Sequence, residues 1–233
     1  MENYSHDERL DKVVVDIQQS FLTKVYGWMT LGLIVTAFAS FFLVSTGLYQ
    51  EVFQNRMIFY VMLFGELGLV WYLASRISRL SPFVAVSLFL LYSALTGATL
   101  SVILILYTAE SVTSIFFTTA GMFAAMSAYG YITKRNLTGV GQFMMMGLIG
   151  VIIASVVNMF IGSADISWVI SFITVIVFTG LTAYDTQKLK SMAVATLDQG
   201  GISTQASILG ALSLYLDFIN LFLALLRLFG RRR

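Results

Sequence analysis

Apolar residues along this chain gather into seven long runs separated by short polar breaks, near 25–46, 57–75, 83–107, 112–132, 140–161, 166–187 and 206–229. Each approaches or exceeds the roughly 20 residues that carry a helix across a bilayer, so each is predicted to be a membrane span. Pro82, the only proline, falls at the start of the third run, where a missing N–H costs nothing. Kinks within spans must therefore come from glycine or polar groups. In the fourth run Ala120, Ala124 and Ala128 recur every four residues, a spacing that predicts close helix packing. Residues 1–23 are the one polar stretch of any length. Within it Leu10, Val13, Val14, Ile17 and Phe21 repeat at helical spacing, which predicts an amphipathic tail helix lying at the membrane surface, with a partly ordered tail as the alternative. Glu2, Asp7 and Glu8 argue against a signal peptide there. The predicted organisation is a cytoplasmic amphipathic tail over 1–23 and a seven-helix transmembrane domain over 24–233. The fold class is an all-α polytopic membrane protein.

Composition agrees. Of 233 residues 58% are hydrophobic and only 11% charged, less than half the charge of an ordinary soluble domain, so lipid must cover the surface. With no cysteine, disulfides, thiolate metal sites and cysteine nucleophiles are excluded. His6 is the sole histidine and lies in the tail, so no span offers a histidine base or a zinc-binding pair. No phosphate-cradling glycine loop or dinucleotide fingerprint occurs, and nucleic acid is not an expected partner.

The placement of charge says more than its amount. Arg9, Lys12 and Lys24 in the tail join Arg76, Arg79, Lys134, Arg135, Lys188 and Lys190 in the even-numbered loops, against Arg56 alone in the odd ones. The positive-inside rule then predicts a cytoplasmic N-terminus. Trp28 and Trp71 fall at the cytoplasmic interface and Trp168 at the outer one. Seven spans leave Arg231, Arg232 and Arg233 outside, against that rule. Ala206 to Phe229 makes a helix of about 36 Å with nothing to break it, so it is predicted to span rather than re-enter.

Ionisable groups within a span are costly and usually functional. Three acids qualify: Glu66, Asp185 and Asp217. Asp217 shares a helix face with Ser213 and Asn220, four residues before and three after. These three form a polar stripe on an apolar helix. Asp185 stands near the cytoplasmic end of the sixth span, where pairing with Lys188 is the structural alternative. Glu66 is mid-span in the second, where an interhelical hydrogen bond is the alternative. Arg76 ends that span in the leaflet of Asp185, either snorkelling to the interface or bridging to Asp185.

Two segments carry a family resemblance: Gly180-Leu181-Thr182-Ala183-Tyr184-Asp185-Thr186-Gln187-Lys188-Leu189-Lys190, and Ser213-Leu214-Tyr215-Leu216-Asp217-Phe218-Ile219-Asn220-Leu221-Phe222 followed by Leu225-Leu226-Arg227. Leu91-Tyr92-Ser93-Ala94-Leu95-Thr96-Gly97 and Gly121-Met122-Phe123 add to it. The chain resembles the Bax inhibitor-1 (transmembrane Bax inhibitor motif) family in its bacterial branch. That resemblance implies a seven-helix fold with the C-terminal helix central and wrapped by the other six. It also implies a pH-sensitive calcium leak, with no enzymatic activity and Ca²⁺ as permeant ion rather than cofactor. The aspartates matching Asp185 and Asp217 would form a carboxyl pair, and Arg76 is the nearest candidate for an arginine latch onto Asp185.

Two carboxyls in contact in a low dielectric cannot both ionise cheaply, so they share a proton. Protonating Asp185 would weaken such a latch and open a path for Ca²⁺, with Asp185, Asp217 and Glu66 as transient oxygen ligands. Two other classes stay open. One is a non-transporting regulator that binds another membrane protein, such as a membrane protease, through its tail. The other is an intramembrane aspartyl protease, although the glycine-flanked aspartate and proline-containing loop of those enzymes are missing. The implied location is the bacterial inner membrane.

Overall fold

The structure, a computed structural model, describes residues 2–195 and 203–233, without the side chains of residues 2–11, Val52, Phe53, Arg56 and Phe59. Leu10 of the expected amphipathic stripe is among those undescribed side chains. The elements are all helical: α1 (Glu2–Thr46), a short α2 (Tyr49–Gln54), α3 (Arg56–Arg76) ending in a 3₁₀ turn at Ile77–Arg79, α4 (Pro82–Leu106), α5 (Ala109–Ile132), α6 (Thr138–Ile161), α7 (Ala164–Ala195) and α8 (Thr204–Phe229). Seven of them are long and apolar enough to cross a membrane, and they coincide with the seven runs read from the sequence to within a few residues for most ends.

Local chemistry sets the helix ends. Asn55, Ser81, Thr108 and Ser203 each accept a hydrogen bond from a first-turn backbone N–H of the helix that follows, satisfying donors the helix cannot. Pro82 takes the first turn of α4. At the other end of α6, Gly162 adopts φ +71°, a left-handed turn that glycine reaches without a Cβ penalty. The Asn158 side chain closes that turn, donating to the Ser163 carbonyl and to Ser167 Oγ and accepting from the Ser163 N–H.

α8 is the centre. Ile208, Ala211, Leu214, Tyr215, Leu221 and Leu226 on it are fully buried, and α1, α4, α5 and α7 pack around it. α3 and α6 stand further out, packed chiefly on α4 and α7. The implied arrangement of six helices around one is therefore a ring of four with two outriders. Helices meet most closely where glycine removes a side chain: at Gly97 a Cβ would strike the Thr36 carbonyl of α1, and at Gly130 the Ala183 carbonyl of α7. Tyr215 ties the central helix to its neighbours. Its hydroxyl lies 2.6 Å from Thr36 Oγ1, and its ring meets Phe89 and Tyr92 edge to face at 5.9 Å, a favoured aromatic geometry.

Two expectations change. The N-terminal segment is not a separate helix, because α1 runs unbroken through the expected junction near residue 23. Its apolar stripe is real, but from Val14 through Ile17, Gln18, Phe21 and Leu22 to Val25 it turns toward the bundle. Hydrophobic spacing records that a face is covered without saying whether protein or lipid covers it. The alanine face of α5 shows the converse: Ala124 and Ala128 are exposed and line a groove beside Leu22, Tyr26 and Met29 of α1. α5 instead approaches its neighbour at Gly130.

The last apolar run forms one helix, without the break that re-entry would need. α8 is continuous, and the residues after it pair with the α4–α5 connection: the Thr108 N–H donates to the Arg231 carbonyl and the Arg233 N–H to the Leu106 carbonyl. Arg232 lies over the Tyr107 ring, 5.9 Å from its centroid. The Arg231–Arg233 run that conflicts with the charge rule thus has protein partners of its own.

Candidate functional site

α8 divides its faces. Tyr215 points to α1 and α4, whereas Ser213, Asp217, Asn220, Ala224 and Arg227, spaced four, three, four and three residues apart, fall on one side. That side borders a cavity of about 500 Å³ lined also by α6 and α7. Into the same cavity α7 sends Ser171, Thr174 and Asp185, and α6 sends Ser155. The structure therefore brings Asp185 and Asp217 to one cavity, and they interact electrostatically.

Helix length makes this possible. α7 does not stop near residue 187 but continues to Ala195, which sinks Asp185 below the helix end. Gly210 of α8 faces Leu189 of α7 with no space for a methyl group. From that contact Asp185 and Asp217 lie about 6 and 10 Å along their antiparallel helices, nearly level. Asp217 is 4% exposed and its Oδ2 is buried with no hydrogen-bond partner. An ionised carboxylate left so would cost several kcal/mol, so the group is suited to hold a proton or meet a cation. Asp185 is half-buried, beside the Ser213 hydroxyl and within electrostatic reach of the Lys188 ammonium. The Asn220 amide donates to the Leu216 carbonyl at 2.8 Å.

The cavity continues toward the α6–α7 turn. A second recess of about 450 Å³ shares Ser155, Ile170 and Arg227 with it and extends to Asn158 and Ser167 at the α6–α7 turn. At its inner limit Asp185 and Lys188 stand between the cavity and a basic recess on the other side, which Lys188 also lines. Polar side chains thus run from the α6–α7 end of the bundle inward to the two aspartates and stop there.

The remaining expected residues lie elsewhere. Glu66 accepts a hydrogen bond from Thr99 Oγ1 of α4, the interhelical alternative read from the sequence, and it does not line this cavity. Arg76 is exposed at the end of α3 and is also absent from the cavity wall. The cation beside Asp185 is Lys188. Arg227 was not singled out for this site by sequence reasoning, although it lies ten residues after Asp217 on the same face, a signal the helical repeat carried.

Among the described residues no group of three or more His, Asp or Glu side chains gathers. Calcium takes six to eight oxygens when held firmly. Two carboxyls with Ser213 and Asn220 offer at most the lower end of that range.

The family described as "Inhibitor of apoptosis-promoting Bax1" matches residues 18–233. The chain is 52% identical over 218 residues to the inner membrane protein YbhL of Escherichia coli strain K12, covering 92% of this chain and 93% of that one. It is 44% identical over 224 residues to a protein of Borreliella burgdorferi, covering 96% and 97%. A Deinococcus radiodurans protein is 40% identical over 219 residues, covering 94% and 93%.

Proposed function

The chain belongs to the Bax inhibitor-1 family of membrane proteins, and on that footing we propose that it is a pH-sensitive, calcium-permeable leak of the bacterial inner membrane, with its N-terminus in the cytoplasm. One observation carries the reading: Asp185 and Asp217 line a single cavity whose polar wall reaches the α6–α7 end of the bundle. The location rests also on YbhL, whose name places that protein in the inner membrane.

In this mechanism the aspartates hold protons or a passing Ca²⁺, and the electrostatic attraction between Asp185 and Lys188 supplies the closure. Protonating Asp185 removes the charge that Lys188 faces, so the packing of α7 against α8 at this level loosens. Lys188 takes the part that Arg76 was expected to play. Charge neutralisation within the pair, rather than nucleophilic attack on a peptide, is the chemistry assigned to it.

The test is Ca²⁺ flux into proteoliposomes, followed as external and internal pH are varied. The expected result is a flux that changes with pH through the titration of the pair. A flux equal to that of protein-free vesicles at every pH would overturn the reading and favour the regulator.

Arg227 makes a second expectation. Its guanidinium stands at the junction of the two cavities, and a divalent cation passing within a few ångströms of that charge is repelled. Arg227→Gln is expected to raise Ca²⁺ flux at constant pH by up to about tenfold, read in the same assay. An unchanged flux would mean that ions do not pass that junction.

A further inference from the structure

At the end of the bundle that carries the α5–α6 connection, a recess of about 480 Å³ opens between that connection, α7 and α1. Lys134, Arg135, Lys188 and Lys190 line it, and none of its lining residues is acidic. The charge rule explains why basic residues occur in a loop on this side. It does not explain how the loop is held.

Gln187 of α7 grips the loop with both ends of its side chain: Nε2 donates to the Arg135 carbonyl at 2.8 Å, and Oε1 accepts the Leu137 N–H at 2.8 Å. The Arg135 N–H donates to Thr133 Oγ1 and the Thr138 N–H to Asn136 Oδ1. Lys190 is fixed as well, donating to the Tyr131 carbonyl at 3.2 Å and lying 5.1 Å from the centroid of its ring. Residues 50 positions apart in sequence thus hold several like charges around one hollow. Such charges repel each other, and an anion with several oxygens would relieve them: lysines act as point charges and the arginine fork can take two oxygens at once.

We propose that this recess binds a phosphate-bearing anion, either the headgroup of an anionic phospholipid or free phosphate. Basic pockets between helices at a membrane face are suited to that chemistry. The recess adjoins the aspartate cavity through Lys188, and its test reads binding rather than flux.

The experiment uses the full chain purified in detergent. Retention of dioleoyl phosphatidylglycerol is compared with that of dioleoyl phosphatidylcholine by native mass spectrometry, and excess inorganic phosphate is added in a parallel arm. Wild type is expected to prefer the anionic lipid. The variant Lys134→Gln/Arg135→Gln, whose two side chains are exposed, should lose about fivefold of that preference for each charge removed, with an unchanged melting temperature. Displacement by inorganic phosphate alone identifies the free anion as the ligand; retention that resists phosphate identifies the lipid. A wild type with no preference and no phosphate binding overturns the proposal, and so does a variant that keeps either one undiminished.

Discussion

Asp217→Asn is expected to abolish the pH dependence of Ca²⁺ flux while leaving the protein as stable as wild type, or more so. The carboxamide has the shape of the carboxyl and neither gains nor loses a proton over the working range. A side chain that merely packs behaves in the opposite way, because its replacement costs stability and spares flux. The structure separates the two outcomes. Asp217 Oδ2 is buried with no hydrogen-bond partner, so the protein loses no bond there when the oxygen is replaced. The costly ionised state, at least about 2.5–3.5 kcal/mol for an aspartate at mid-membrane, disappears. Proteoliposome flux between acid and neutral pH, with thermal unfolding of the same preparation, gives both readings. A pH response that survives in Asp217→Asn ends the role assigned to the pair.

The largest loss of stability is expected at Gly130. A Cβ there would drive into the Ala183 backbone carbonyl, which cannot rotate away as a side chain would, so α5 and α7 would have to separate. Gly130→Leu is expected to cost about 3 kcal/mol or more, at the upper end of overpacking. Gly130→Ala should cost less, because alanine recovers about 1 kcal/mol of helix propensity. Gly121 on the same helix is the control. A Cβ there meets nothing within 4 Å, so Gly121→Ala should be neutral or stabilising by up to about 1 kcal/mol. Unfolding titrations of the three variants decide it. Equal behaviour at the two glycines would mean that the close crossing is not maintained in the membrane.

The sequence made the seven spans legible because a span is a one-dimensional property, a long enough apolar run. Asp217 was legible for the same reason: a carboxylate mid-run stands out against its neighbours whatever the fold. Which faces meet is three-dimensional and was harder to read. Ala120, Ala124 and Ala128 carry the spacing of a packing face, yet α5 turns its glycine to α7 and leaves Ala124 and Ala128 in a groove. Arg76 and Asp185 share a leaflet on charge arithmetic, but α3 packs chiefly on α4, and leaflet does not fix position around the bundle. Glu66 was separated from the aspartates likewise. Lys188, three residues from Asp185 on its own helix, needed only the helical repeat, and it acts electrostatically on that carboxyl.

The unbroken course of α1 has a mechanical consequence. Forty-five residues of helix make a rod of about 67 Å, more than twice the roughly 30 Å hydrocarbon thickness of a bilayer. The stripe from Val14 to Val25 pins its middle against the bundle, so only the helix before Val14 is left to act as a lever, with its pivot near that residue. A 10° swing about Val14 carries the tip through about 3 Å. Small rearrangements within the spans, too slight to follow directly, are magnified at the N-terminus, where a probe or a partner can read them.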